Sequence, residues 1–219
     1  MTMILTADEQ DVVTELMNMG VGRAAGAFSR LVNDEVILSV PEVAFVGIAE
    51  AQRVFDASIP DVLAGVRQSF DGFIAGAAAL LFPEERSLEL VRAIIGEDMP
   101  AEEISELEQE TLAEIGNIIL NNCLATIANA LHSEISSSLP ETYTGDKQGF
   151  LSFLCDPPPE ARMSAEPPLD GSSSVLLLVQ IDFSLRRRAI QGFLAFAIDL
   201  RSAASFRAKI NEYLEALSG

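Results

Sequence analysis

Two short strings in the sequence each place a carboxylate and an amide one helical turn apart. Glu15 is followed three positions later by Asn18, and Glu114 is followed by Asn117 at the same spacing. Residues three apart project side by side from a helix. A carboxylate can grip a cation, and an amide can both donate and accept a hydrogen bond, so each pair could hold a ligand or a water molecule.

The two strings belong to a longer internal repeat. The same offset of 99 residues that relates the two pairs also relates Asp11 to Glu110 and Pro41 to Pro140. A single Glu-x-x-Asn string would most simply be a solvated helix face. Its duplication in register indicates that a helix and the segment after it are present twice. It also favours a functional role for the paired residues.

Helical spacing places the pairs opposite the predicted core. At about 100° per residue, the apolar side of residues 11–32 runs from Val13 to Leu31 and is predicted to be buried. The opposite stripe of the first helix contains Asp11, Glu15, Asn18, Gly22 and Gly26. The stripe of the second helix contains Glu110, Glu114, Asn117 and Asn121.

The two stripes are similar but not equivalent. Gly22 is matched by Asn121, and Gly26 by Ala125. Glycine inside a helix costs about 1 kcal/mol relative to alanine. Its presence on the first stripe therefore favours close approach by a partner. We expect the first site to contribute more than the second.

The remaining elements repeat in the same order in both halves, about residues 8–98 and 102–217. Each half predicts a long helix, a strand interrupted at the proline, a strand hairpin and a closing helix. Asp71-Gly72 is the predicted turn of the first hairpin. Arg186-Arg187-Arg188 is interpreted as a solvated tip of the second hairpin, in preference to a site for an acidic ligand. Residues 141–172 hold five of the ten prolines and are predicted to be irregular.

These elements predict an α+β fold in a single domain. It consists of one continuous, mainly antiparallel sheet with the two motif helices packed on it about a pseudo-two-fold axis.

Composition narrows the class of protein. A chain of 219 residues that is 49% hydrophobic can build a sizeable core. Its longest apolar run, from Gly72 to Phe82, is shorter than the roughly 18–20 residues of a membrane span. No signal-peptide pattern is recognised, so a cytoplasmic protein without membrane insertion is predicted. The net charge of −19 argues against nucleic acid as a partner.

Metal and cysteine chemistry are also disfavoured. Two cysteines do not form a disulfide framework, and Cys123 falls on the core face of the second helix. The one histidine, His132, lies near a helix end, where capping is the favoured role. We therefore predict no metal or cofactor of the chain's own.

The repeated motif resembles a known family signature. Asp/Ser-x-x-x-Glu-x-x-Asn followed after 22 residues by Pro is similar to the signature of the CheC/CheX/FliY family of chemotaxis phosphatases. The first copy matches in full, and the second has Glu110 where the family has Asp or Ser. The runs Met17-Asn-Met-Gly-Val-Gly22 and Glu114-Ile-Gly-Asn-Ile118 are also similar. The resemblance covers nearly the whole chain. The presence of two complete motifs is similar to the CheC type.

The resemblance implies an activity and a set of roles. It implies hydrolysis of the aspartyl phosphate of a CheY-type response regulator, with Asn18 and Asn117 positioning water. Glu15 and Glu114 would grip a lysine of the regulator, which would also carry the Mg²⁺. The other stripe residues would contact the partner: Asp11, Gly22, Gly26, Glu110 and Asn121.

Two further interpretations follow from the same family. A non-catalytic adaptor that binds a response regulator or a flagellar switch partner is the alternative function. Members of the CheC type also bind the deamidase CheD. Residues 141–172, which match the docking region, show no clear helix pattern for that contact.

Overall fold

The structure is a computed structural model that describes residues 5–47, 50, 53, 61–95, 101–155, 174–185 and 188–218. The proline-rich run at 156–173 and the first two residues of the predicted hairpin tip 186–188 lie outside these residues, as does most of the segment 48–60. The described residues form five helices and seven strands. In chain order they are α1 (Ala7–Val32), β1 (Val36–Gly47), β2 (Val62–Gly72), β3 (Gly76–Pro83), α2 (Glu84–Ile95), α3 (Ala101–Ala130), β4 (Ile135–Ser137), β5 (Glu141–Asp146), α4 (Lys147–Cys155), β6 (Ser174–Leu185), β7 (Arg188–Asp199) and α5 (Leu200–Ser218).

The seven strands form one antiparallel sheet in the order β1-β6-β7-β3-β2, with β4 and β5 both paired to the outer side of β2. The predicted α+β fold with one continuous sheet is confirmed. The two halves exchange edge strands, because β1 of the first half pairs with β6 of the second and β4–β5 of the second half pair with β2 of the first. We infer from this exchange that the two repeats fold as one unit.

Each motif proline lies at an irregularity in an edge strand. The register of β1 on β6 shifts between Ser39 and Glu42, which flank Pro41. The register on β2 shifts in the same sense between β4 and β5, where Pro140 precedes β5. Proline has no N–H to donate and is accommodated at such edges and bulges. The 99-residue repeat therefore holds for the sheet as well as for the helices.

The ends of the first motif helix follow the predicted signals. Thr6 caps α1 in a capping box with Glu9, and Asn33 ends the helix in the left-handed conformation at φ 50°. His132, the equivalent of Asn33 in the second copy, adopts φ 47° after α3. The caps fix where the first motif helix starts and stops, and the left-handed residue marks where each of the two motif helices ends.

The two motif helices pack closely on each other and on the same face of the sheet. A Cβ added at Gly20 of α1 would lie 2.8 Å from the Cα of Cys123 on α3. A Cβ added at Gly116 of α3 would lie 2.7 Å from the side chain of Val66 on β2. Glycine is needed at both positions because the backbone of one element approaches the next this closely.

Three predictions of local structure are wrong. Asp71 and Gly72 belong to β2 and pair with β4, so the hairpin turn lies at 73–75. Leu31, predicted to be buried, is 49% exposed near the end of α1. Residues 141–155 are not irregular, since they form β5 and α4. Phe150 and Leu154 of α4 are fully buried against the other face of the sheet, and this burial stabilises a helix too short to persist alone.

Candidate functional site

The first motif lies on the outer face of α1. Val13, Leu16 and Met17 point inward and are at most 1% exposed. Their burial in the core fixes the rotation of the helix about its own axis. The five predicted stripe residues are all exposed: Asp11, Glu15, Asn18, Gly22 and Gly26. The structure thus brings the first predicted set together on one solvent-facing surface.

The functional groups of this first site are unengaged. Among the residues that the structure describes, no side chain forms a hydrogen bond or ion pair with Glu15 or Asn18. A Cβ at Gly22 would meet no atom within 4 Å. The amide of Asn18 therefore offers both its donor and its acceptor to a ligand.

The second motif differs in burial. Glu110 and Glu114 are exposed on α3, but Asn117 and Asn121 are only partly exposed. Asn117 Oδ1 accepts hydrogen bonds from Gln68 Nε2 at 3.1 Å and from Asn121 Nδ2 at 2.7 Å. Asn121 Oδ1 in turn accepts one from Ser137 Oγ at 2.7 Å. The second amide is thus held in a network that links α3 to β2 and β4.

Gln68 is the site residue that the sequence analysis missed. It is fully buried on β2, and its Nε2 also donates to the backbone oxygen of Ser138 at 3.0 Å. Its Oε1 is buried without a hydrogen-bond partner among the described atoms. The signal that could have identified it is a glutamine inside a strand whose other residues are almost all buried. A buried glutamine is unusual unless its amide has a hydrogen-bond partner.

Among the described residues, the matching positions of the first copy carry no such network. Gly22 stands where the second helix has Asn121, and glycine has no side chain to reach Asn18. On β6, Ile181 lies opposite the irregularity at Pro41 and is a fully buried apolar residue. The first amide is therefore left free by two specific replacements.

The described residues offer little for metal or thiol chemistry. No group of three or more His, Cys, Asp or Glu side chains among them could hold a metal ion. Burial raises the pKa of the Cys123 thiol to about 12, so it is not a nucleophile at neutral pH. In the same part of the chain, no helix is long and apolar enough to cross a membrane.

Comparison with known proteins finds a matching family model and a curated relative. Residues 9–44, which contain the first motif, match the model of the CheC-like family. A stretch of 138 residues is 25% identical to the CheY-P phosphatase CheC of Bacillus subtilis, and covers 61% of this chain and 65% of that relative. The chain thus spans just under two thirds of the length of the curated relative that it matches.

Solved structures show the same fold. FliY of Thermotoga maritima matches with a TM-score of 0.69 at 17% identity, over 98% of this chain and 99% of that chain. CheX in a complex with CheY, BeF3 and Mg²⁺ from Borrelia burgdorferi matches with a TM-score of 0.50 at 18% identity, over 85% of this chain and 99% of that chain. The family model, the relative and the shared fold agree with the motif and support the CheC/CheX/FliY family.

Proposed function

We propose that this protein is a phosphatase for the aspartyl phosphate of a CheY-type response regulator. The observation that carries the proposal is the exposed, unengaged Glu15–Asn18 pair, repeated at an offset of 99 residues in Glu114–Asn117. The similarity to a CheY-P phosphatase supports the substrate, and the complex of CheX with CheY supports the kind of partner.

The reaction requires that a water molecule be positioned, and it needs no nucleophile from this chain. A water oxygen attacks phosphorus in line with the bond to the aspartyl oxygen, that bond breaks, and the aspartate leaves as a carboxylate. The proton lost by the water passes to the released phosphate or to solvent. An amide that accepts a hydrogen bond from this water aims its lone pair at phosphorus.

The other exposed groups fit contact with the regulator. Glu15 and Glu114 would pair with a lysine of the regulator, and Asp11 and Glu110 would add acidic contacts one turn earlier. Gly22 and Gly26 leave α1 without bulk where the regulator would approach. Mg²⁺ would be held by the regulator, as the Mg²⁺ in the CheX–CheY complex suggests. CheD is a further partner implied by the family, and α4 supplies a helix in the region that would contact it.

Phosphate release from a phosphorylated CheY-type regulator tests the proposal. We expect the protein to accelerate release, and we expect Asn18→Ala with Asn117→Ala to abolish the acceleration. Asn129→Ala is the matched control, because Asn129 is an exposed amide on α3 away from the stripe. Binding of the regulator without acceleration by the unmodified protein would overturn the proposal and leave the adaptor.

A further inference from the structure

The two copies of the motif present different hydrogen-bonding groups, and this difference has a chemical consequence. Both lone pairs of Asn117 Oδ1 are occupied, one by Gln68 and one by Asn121. Asn117 therefore has only N–H groups to offer. Asn18 has no such neighbours within the described part of the chain and keeps its carbonyl oxygen available.

We propose that the two copies divide the reaction, so that Asn18 orients the attacking water while Asn117 is restricted to binding by the positioning residues Gln68 and Asn121. This proposal rests on the phosphatase function proposed above. Orientation of the water by an amide requires an acceptor for its proton, which only Asn18 of the two motif amides can supply. The N–H groups of Asn117 suit acceptor oxygens, such as those of a phosphoryl group or a carboxylate, without activating water.

The burial of Gln68 supports a dedicated role. Its Oε1 is buried and unpaired among the described atoms, which is unfavourable because the oxygen has lost its hydrogen bonds to water. The fold does not require an amide at such a position, because Ile181 lies opposite the equivalent irregularity in the other edge strand. Both hydrogens of Gln68 Nε2 are used, one on Asn117 and one on Ser138. The unpaired Oε1 of Gln68 is therefore tolerated because the Nε2 group of the same side chain holds the amide of Asn117 in place.

The first experiment gives the first site the additional amide that Asn121 provides at the second site. Gly22→Asn places an amide one turn after Asn18, as Asn121 stands after Asn117. A Cβ at Gly22 meets no atom within 4 Å among the described residues, so the chain itself has room for a side chain there. Gly22→Ala is the matched control, since it adds a Cβ without the amide. We expect kcat of Gly22→Asn to fall at least about fivefold below that of Gly22→Ala, because the new amide occupies the oxygen of Asn18. Equal kcat values would overturn the proposal.

The second experiment makes the reverse change in a chain that carries Asn18→Ala and so keeps only the second site. Adding Gln68→Ile and Asn121→Ala frees the oxygen of Asn117. We expect kcat to rise about tenfold over Asn18→Ala alone. Affinity for the regulator charged with beryllofluoride is measured beside it, because Asn121 is also expected to contact the regulator and its loss should weaken binding without lowering kcat. The split between kcat and affinity separates a positioning role from general damage, and a thermal melt reports whether the variant is folded.

The outcomes separate this proposal from the phosphatase function on which it rests. No phosphate release by the unmodified protein would reject that function, and this proposal with it. Release that is normal in the unmodified protein but unchanged by Gly22→Asn would reject the division of roles alone. A folded chain with Asn18→Ala, Gln68→Ile and Asn121→Ala that gains no turnover would reject it as well. If that chain does not fold, the Gly22 pair still decides.

Discussion

The Glu15–Asn18 and Glu114–Asn117 pairs carry the same residues at the same spacing, yet they lie in different surroundings. The first pair lies on the exposed face of α1, with glycine one turn beyond it. The second has Glu114 in solvent but Asn117 half-buried and tied to β2 by Gln68. The sequence motif therefore specifies which groups are present, and the neighbouring strand decides which of their atoms can act.

The comparison also locates where the repeats have diverged. The left-handed residue after the motif helix, the irregularity at the proline and the exchange of edge strands are kept in both halves. The differences concentrate at two positions next to each amide: Gly22 against Asn121, and Ile181 against Gln68. The same duplicated fold can therefore leave the amide of one site free while the amide of the other is hydrogen-bonded by its own neighbours.

The largest effect on the scaffold is expected where the two motif helices meet. Gly20→Ala should lower the free energy of unfolding by about 1–3 kcal/mol, because its Cβ would press on the backbone of Cys123. Gly22→Ala, on the outer face of the same helix, should instead raise it by up to about 1 kcal/mol. Urea unfolding of both variants tests this, and equal stabilities would show that the helices are not locked together at Gly20.

A smaller effect is expected from the two exposed glutamates. Glu15→Gln should lower kcat/KM about tenfold, because Glu15 contacts the regulator at the site where hydrolysis takes place. Glu114→Gln should raise KM about fivefold and leave kcat nearly unchanged, because the second site only binds. Steady-state phosphate release gives both constants. A fall in kcat with Glu114→Gln alone would break the comparison.

The smallest effect concerns two equivalent glutamates, one near the start of α1 and one inside α3. Buried Glu9 accepts a hydrogen bond from Arg207 at 2.7 Å, whereas its equivalent in the second copy, Glu108, accepts one from the hydroxyl of Ser87. Burial works to raise the pKa of Glu9, but the bonds from Arg207 and from Thr6 outweigh it, and the pKa lies below its ordinary value of 4.5.

The lowered pKa of Glu9 gives a direction in pH. Its stabilisation is complete above about pH 4.5 and is lost as the pH falls through the lowered pKa. Glu9→Gln should cost about 1 kcal/mol at neutral pH, a modest value because Arg207 is 37% exposed. The difference from the unmodified protein should shrink in acid. Glu108→Gln keeps an acceptor for Ser87 and should cost less. A constant difference for Glu9→Gln from pH 7 to pH 3 would contradict this account.

Much of the fold could be predicted because it depends on local periodicity and on the repeat. The apolar spacing of α1 identifies its inner face, and the capping residues give its ends. The exposure of Glu15 and Asn18 follows directly from that spacing. The helix α4 was missed because its stability comes from burial of Phe150 and Leu154 against the sheet, a tertiary effect that outweighs a weak local signal.

The network at the second site could not be predicted for a related reason. Gln68 and Asn117 are 49 residues apart and belong to different halves of the chain. Their contact depends on the exchange of edge strands, which no local pattern specifies. The hairpin turn was misplaced at Asp71-Gly72 because these residues have strong turn propensity, whereas pairing with β4 keeps them in the strand. Long-range pairing decided both outcomes.

The most direct test of the central claim is kcat for phosphate release with Asn18→Ala and with Asn117→Ala, each measured on the same phosphorylated CheY-type regulator. We predict that Asn18→Ala lowers kcat by about 100-fold. Asn117→Ala should change kcat by less than about threefold while raising KM, since it removes binding alone. Equal losses of kcat, or a larger loss with Asn117→Ala, would contradict the account.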